Sequence, residues 1–386
     1  MPRRHNMDET ADHMDASSAG VLDIEFQVDR TDLTNGRIVE VPRVALDAGE
    51  IRLRVDRFAF TANNLTYGVA GDMLGYWQFF PAADDADRQW GIIPVWAFAD
   101  VVESTVAEVP VGDRLYGYFP PATSVVMRPL DVRRSSLKDG TPHRQRLPPL
   151  YNGYRRVLAR DDYNRAFDDA TILLSPLHLT SFCIADQLKQ NHFYEADQVL
   201  IVSASSKTSL GLAFALSQDP DSPRIIGATS SRNEDFVSGV GLYDAVVSYA
   251  TISEMLANES TVVVDMAGSP ALRSQLASHL GSSLRHYIQV GLTHWEEFES
   301  SSASSAQTEP GSVESFFAPS YILEHLARWE PGEFDRQSIE FLKNAAMATF
   351  GWMTIEHKQG LDGLSAIYDE VCSGSLPPSV GLVIEM

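Results

Sequence analysis

The sequence predicts an α/β protein of two parts, a β-rich unit followed by a doubly wound parallel sheet, closed by a helical tail and one last strand. Three observations carry this. At 386 residues the chain exceeds what one compact core holds and suits two domains. Up to about residue 128 apolar residues recur in short alternating runs between turn residues. From about residue 171 short continuous apolar runs alternate with helix-like stripes, the pattern of strands buried on both faces of a parallel sheet.

In chain order, residues 1–20 (MPRRHNMDETADHMDASSAG) are polar and read as a disordered tail without the apolar run of a signal peptide. Residues 21–165 form the β-rich part. Val21 to Val28 alternates loosely. GEIRLRVDR alternates strictly, with Ile51, Leu53 and Val55 on one side and Arg52, Arg54 and Asp56 on the other. The Gly- and aromatic-rich stretch FAFTANNLTYGVAGDMLGYWQFFP has little periodicity and reads as a loop, the kind of segment that carries sites. AFADVVEST and GDRLYGYFP are further strands, and no helix is predicted before about residue 160. DVRRSSLKDGTPHRQRLPP reads as an extended, solvated basic loop, with an anion contact as the alternative.

Residues 166–320 form the second part. LSPLHLTSFCIADQLKQ carries a helical stripe with Pro176 near its first turn. QVLIVSAS, PRIIGATSS, DAVVSYA, TVVVDMAG and RHYIQVGLT are strand runs between helix-like segments, and residues 299–312 are a Ser-rich loop. Residues 321–386 offer helices near 320–328, 334–349 and 361–373, then the strand SVGLVIEM.

Composition excludes some functions. With 52 acidic and 30 basic residues the formal charge is −22, which repels phosphate backbones and anionic lipid, so neither nucleic acid nor membrane is expected as a partner. No apolar run is long enough to span a bilayer. Two cysteines, Cys183 and Cys372, indicate no disulfide framework and suit a reducing, cytoplasmic setting. Neither cysteine has a ligand-spaced partner, and the histidines form no H-x-x-x-H or H-E-x-x-H, so no metal is expected.

Four phrases, in this order, resemble the medium-chain dehydrogenase/reductase superfamily in its zinc-free quinone- and enoyl-reductase branch. VGDRLYGYF resembles its V-G-D-R-V-x-G turn, and LSPLHLTSFCIADQL the helix with its L-T-A signature. ADQVLIVSASSKTSLGLAFAL resembles its first nucleotide-binding strand, turn and helix, and TVVVDMAGSPALRSQLASHL its V-D-x-x-G segment. The wording NNLTYGVAGDMLGYWQFFP and SASSKTSLGLAF resembles the domain of unknown function 2855 family. The resemblance runs from about residue 45 to residue 386. It implies a Rossmann-type nucleotide-binding domain, a GroES-like catalytic domain to which residues 321–386 return, and pairing of two copies into a homodimer.

The resemblance also places the candidate site. The family sets glycines after the first strand so that the backbone can approach a pyrophosphate at a helix N-terminus; the matching positions here are Ser203, Ser206 and Ser209. Ser203, Ser205, Ser206, Lys207 and Thr208 can still hold an anion through hydroxyls, N–H groups and one ammonium. The alternative is a Ser-rich N-cap with a surface lysine. After the second strand, where NAD-specific sites carry Asp or Glu, stand Thr229, Ser230, Ser231 and Arg232. Ser230 and Arg232 suit a 2′-phosphate and hence NADP; the alternative is an ordinary turn.

The Asn63–Pro81 stretch occupies the place where zinc-free relatives orient an enone or donate a proton. Tyr67 and Tyr76 are candidate general acids, Asn64 an orienting donor, and Trp77, Phe79 and Phe80 an apolar wall; the alternative is interface packing. His178 faces the cleft by analogy, against the alternative of a hydrogen-bonded core histidine. There is no G-x-S-x-G elbow. The expected function is an NADPH-dependent, metal-free reductase of a carbonyl or conjugated enone, a small-molecule substrate. The rival is a cofactor-independent C–C bond hydrolase or lyase on a remodelled fold, with Lys207 and the tyrosines acting on substrate; a binding protein that has lost catalysis is a third reading.

Overall fold

The computed structural model describes residues 21–83, 88–252, 259–290, 313–330 and 332–386; the tail at 1–20 and the Ser-rich loop at 299–312 lie outside the described residues. The β-rich part contains β1 (Leu22–Asp29), β2 (Gly36–Pro42), β3 (Ile51–Ala59), β4 (Trp90–Gly91), β5 (Val95–Ser104), β6 (Arg114–Phe119), β7 (Ser124–Met127), β8 (Pro129–Leu130), β9 (Ser136–Asp139) and β10 (Gly153–Arg156). β2, β1 and β4 make a small sheet, and the others join a larger one. The alternation in β3 appears on its apolar side, where Ile51, Leu53 and Val55 are fully buried; of the polar set only Arg54 is exposed, Asp56 is half-buried, and Arg52 is buried with its Nε donating to Glu103 at 3.1 Å.

Two expectations are corrected here. The stretch after β3 is not a loop throughout but begins with helix α1 (Ala62–Val69). Its start is fixed by Asn64, whose Oδ1 accepts the Thr61 N–H at 2.8 Å, the backward half of a capping box. The basic stretch 131–149 is not simply extended and solvated. It contains β9, and it buries Arg144, whose guanidinium bonds Asp139 (2.8 Å) and Asn152 (3.0 Å).

The second part is a six-stranded sheet of β11 (Gln198–Val202), β12 (Arg224–Thr229), β13 (Ala245–Ser248), β14 (Thr261–Asp265), β15 (Leu284–Val290) and β16 (Val313–Phe316). All pairs are parallel, in the order β13-β12-β11-β14-β15-β16, the doubly wound order with its switch point between β11 and β14. Every residue of β11 and β14 is buried. Along β11, Val199 and Ile201 enter one core, with α2 (Asp168–Gln190), α3 (Lys207–Ser217) and α6 (Ala318–His325). Leu200 and Val202 enter the opposite core with α5 (Pro270–Leu280). α4 (Glu234–Val240) follows β12. A strand with a period of two thus needs apolar residues at every position when both faces are covered.

The chain then forms α7 (Glu333–Thr349), β17 (Thr354–Gln359), α8 (Gly360–Cys372) and β18 (Val380–Glu385). β18 pairs antiparallel with β3, and α8 packs Leu361, Leu364 and Tyr368 into the core of the β-rich part. α2 joins the two parts. It starts at Asp168, earlier than the sequence reading had it, so Pro176 lies in its interior rather than near its first turn. There the proline ring removes one helical hydrogen bond, the one owed to the Ile172 carbonyl. At its start, Asp168 accepts from Arg114 at 2.8 Å. Ala170, Ile172, Leu173 and Leu174 pack with Ala59, Phe98 and Val383 of the β-rich sheet.

Candidate functional site

The turn from β11 into α3 is the first component. Ser203 adopts φ 60, the left-handed region that usually selects glycine. The turn is held from below: the Ser203 N–H donates to Tyr249 Oη (3.1 Å), the Ala204 N–H to the Ala228 carbonyl (2.9 Å), and Tyr243 Oη to the Ala204 carbonyl (2.8 Å). Ser206 caps α3, its Oγ accepting the Ser209 N–H at 3.1 Å. Ser209 is fully buried and donates to the Val202 carbonyl at 3.3 Å. The first turn of α3 presents N–H groups without helical acceptors, as any helix start does. The turn therefore joins a left-handed residue to a helix N-terminus, with serines at the positions where the family has glycines. Ser205 accepts from Asn233 Nδ2 (3.1 Å) and Thr229 Oγ1 (3.4 Å), which ties this turn to the end of β12.

The two cations assigned from sequence have other contacts. Lys207 does not reach over the turn: its half-buried Nζ donates to the carbonyls of Val380 (2.8 Å) and Pro378 (3.3 Å). Burial pushes its pKa down to about 8. Arg232 is exposed and donates one N–H to the Gly374 carbonyl at 3.1 Å. A guanidinium has five N–H donors, so this contact leaves others for an anion. Thr208 lends its carbonyl to Ser181 Oγ (2.7 Å), which ties α2 to the same helix start, and Ser230 accepts the Asn233 N–H at 2.9 Å.

The second component is a narrow opening between α1, β5 and α2, lined by Ala59, Thr61, Asn63, Asn64, Trp96, Ile172, Leu173, Pro176 and Leu177, with a cavity volume of about 10 Å³, room for about one water. Directly behind its wall lies Tyr67, whose Oη accepts from Asn63 Nδ2 (3.0 Å) and Trp96 Nε1 (3.3 Å). Burial raises the Tyr67 pKa above the phenol range, and those two N–H bonds oppose the rise. Tyr76 is not at the opening. It is 1% exposed, its Oη pairs with Tyr151 Oη at 2.9 Å, and burial drives its pKa up. Trp77, Phe79 and Phe80 are likewise buried in the core of the β-rich part. Asn64 lines the opening, but its amide is engaged on both sides, by the Thr61 N–H and by donation to the Pro94 carbonyl at 3.1 Å. Its role is to hold the start of α1 rather than to orient a substrate.

His178 is in neither component. It lies buried where α2 meets α3, beside Gly211, and neither ring nitrogen makes a hydrogen bond of normal geometry. Burial lowers its pKa to about 4, with the backbone of Lys207 opposing. Sequence reasoning missed Asn63, Trp96, Asn233 and Tyr249. Asn63 and Tyr67 stand one turn apart, a relation visible only once α1 is a helix, and the run AFADVVEST begins two residues after β5 does, which leaves Trp96 out. Among the described residues no group of three or more His, Cys, Asp or Glu is arranged to hold a metal ion, and no helix is long and apolar enough to cross a membrane.

The family model described as "Protein of unknown function (DUF2855)" matches residues 58–377. No curated protein matches the chain in sequence. Among solved structures, the fold is similar to CurA from Vibrio vulnificus in complex with NADPH, at 12% identity and TM-score 0.60, over 94% of this chain and 99% of that one. It is similar to the quinone oxidoreductase from Coxiella burnetii, at 13% identity and TM-score 0.54, over 95% and 100%. It is also similar to S. aureus TarJ in complex with NADPH, at 10% identity and TM-score 0.54, over 95% and 99%. At such identities the likeness establishes the fold: a Rossmann-type sheet with a GroES-like β-rich part, as the resemblance to medium-chain dehydrogenase/reductase proteins implied.

Proposed function

The chain belongs to the DUF2855 family, and from its own site we propose that it is an NADPH-dependent, metal-free reductase of a carbonyl or conjugated enone. The observation that carries this reading is the end of β12. Ser230 and Ser231 offer hydroxyls, Arg232 a guanidinium, and no carboxylate stands there to select the free ribose 2′-hydroxyl of NAD. Ser203, in its left-handed conformation at the switch point, supports the same reading. The backbone N–H groups at the start of α3 and the Ser205 and Ser206 hydroxyls would hold the pyrophosphate, and Arg232 the 2′-phosphate.

Bound NADPH would supply the hydride. The chain's own part would be to place the substrate oxygen at the opening, with Tyr67 behind its wall as the candidate source of the proton. The apolar faces of Ile172, Leu173, Pro176 and Leu177 would exclude water from the reacting carbon.

Titration of nicotinamide fluorescence tests the reading. A charge-assisted hydrogen bond to phosphate contributes about 1.5–3 kcal/mol, so Arg232→Ala should weaken NADPH binding about tenfold to a hundredfold and leave NADH nearly unchanged. Serine at the three family glycine positions favours the second reading, a cofactor-independent C–C bond hydrolase or lyase. If neither nucleotide binds at millimolar concentration, the reductase reading falls and the second one leads.

A further inference from the structure

We propose that Arg155 anchors the carboxylate of a small organic acid on the face of the β-rich sheet turned toward α2, with the acid's apolar body against the exposed part of Trp96. The proposal goes beyond the reductase reading and does not depend on it.

The argument starts from strand pairing. β10 runs antiparallel to β6 with Arg155 opposite Tyr116, and residues directly opposite share a face. Tyr116 packs with Phe98, Ile172 and Leu173 where α2 meets the sheet, so Arg155 stands on that face too. Its guanidinium lies 5.9 Å from the centroid of the Tyr116 ring. The Trp96 ring stacks on the same Tyr116 ring at 5.7 Å and 26°. One buried phenol therefore joins the cation to the indole. Burial lifts the Tyr116 phenol above its ordinary value, and the charge of Arg155 opposes the rise, as a cation close to the ring does. Arg155 and Trp96 are both partly exposed. A ligand can reach them from solvent without entering the narrow opening that Trp96 also lines.

Arg155 differs from its neighbours in what its donors meet. Arg156, half-buried like Arg155, bonds Asp113 twice, at 2.9 and 2.6 Å, and the Arg133 carbonyl at 2.9 Å. Arg57, Arg114 and Arg144 bond Asp169, Asp168 and Asp139. The Arg155 guanidinium has no hydrogen bond or ion pair with any described residue, in a chain of formal charge −22. Its contact is the ring of Tyr116, which leaves the N–H donors unused.

A charged group taken partly out of water without an acceptor is costly, and an anion on the guanidinium would relieve that cost. The planar fork matches the two oxygens of a carboxylate. On the same face of β9, Lys138 is already paired with Asp131 at 2.7 Å. The uncompensated charge of Arg155 equals that of one carboxylate and falls short of a phosphate near its second ionisation. The half-exposed indole beside it suits an acid with a flat, apolar body.

The test measures binding of trans-cinnamate and of cinnamamide, its uncharged isostere, to the full chain by isothermal titration calorimetry at fixed ionic strength. Cinnamate should bind about tenfold to a hundredfold more tightly than the amide, the range of a charge-assisted contact. Arg155→Met should erase that preference and leave the amide affinity unchanged, and Arg155→Lys should keep part of it. Trp96→Leu should weaken both probes alike, and Arg133→Met, which alters an exposed arginine of the same part, should change neither. NADPH affinity should be the same in the wild type and Arg155→Met, so a failed reductase reading leaves this test intact. Equal affinities for acid and amide in the wild type, no binding of cinnamate at millimolar concentration, or unchanged cinnamate binding in Arg155→Met would overturn the proposal. Displacement of cinnamate by an equal concentration of inorganic phosphate would overturn the carboxylate assignment, an unchanged affinity in Trp96→Leu the placing of the apolar body, and loss of NADPH binding in Arg155→Met the separation of this site from the cofactor.

Discussion

Arg114→Met should destabilise the fold by about 3–5 kcal/mol, the cost of stranding a buried charge by removing its partner. The Arg114 side chain is 3% exposed and donates to Asp56 (2.6 Å), Asp100 (2.8 Å) and Asp168 (2.8 Å), while its Nε donates to Tyr163 Oη at 3.0 Å. The three carboxylates come from β3, β5 and the start of α2. Methionine keeps the apolar stem and loses every donor. Asp168, with its side chain 1% exposed, would then be a nearly uncompensated buried anion. Burial already lifts the Asp168 carboxyl above its ordinary value with Arg114 beside it, and removing Arg114 lifts it further. An acid whose folded pKa is raised takes up its proton in the folded state, so the deficit should shrink as the pH falls through that pKa. Adding Asp168→Asn should recover part of the loss, because the amide carries no charge. Urea unfolding followed by far-ultraviolet circular dichroism on the four proteins of the cycle measures both effects. The reasoning is refuted if Arg114→Met costs under about 1 kcal/mol, or if the two substitutions add to within about 0.5 kcal/mol, as independent sites do.

Three further outcomes are expected. Gly211→Ala should cost about 1–3 kcal/mol by overpacking, since its Cβ would lie 2.6 Å from His178 Cδ2 and 2.7 Å from Ser181 Oγ; an unchanged thermal midpoint would deny the close approach of α2 and α3. Tyr118→Phe should be neutral to within about 0.5 kcal/mol because its hydroxyl has no partner to lose, whereas Tyr154→Phe should cost about 1 kcal/mol for its bond to the Tyr118 carbonyl; parallel urea titrations compare them. Lys207 titrates near 8 in the fold against an ordinary 10.5. Between those values the unfolded chain binds more protons, so stability should rise with pH across that window, and Lys207→Met should lack the rise in midpoints measured there.

What was legible in the sequence follows from how local each cause is. β11 and β14 declare themselves because a strand covered on both faces must be apolar throughout, and β3 because its alternation is strict. α1 was hidden. It has eight residues, two of them Asn and one Gly, all poor helix formers, and it exists because Asn64 caps it and Tyr67 packs beneath it. The interior position of Pro176 was hidden for a related reason: Asp168 and Asp169 begin the helix through contacts with Arg114 and Arg57 from distant strands, which no local window contains.

The site divides along the same line. Lys207 and Arg232 were assigned to phosphates because they stand next to the right turns, yet long side chains reach whatever the tertiary fold brings near them. Here that is the segment from Gly374 to Val380, whose carbonyl oxygens accept from them. Ser203 makes the opposite case. Judged by composition, serine for glycine argues against a phosphate turn, because the left-handed conformation costs an L-residue about 1–2 kcal/mol. The chain adopts it nonetheless, since the bonds to Tyr249, Ala228 and Tyr243 around the turn over-determine its path. The missing glycines therefore leave the shape of the turn in place and change what lines it, adding a Cβ and a hydroxyl where the family has bare backbone. Those atoms narrow the approach of a pyrophosphate but also offer it donors. Their balance is the quantity that the NADPH titration reads. A Ser203→Gly variant isolates it, since the glycine keeps the left-handed turn while clearing its surface: tighter NADPH binding would mean that the added atoms obstruct, and weaker binding that the hydroxyl contributes.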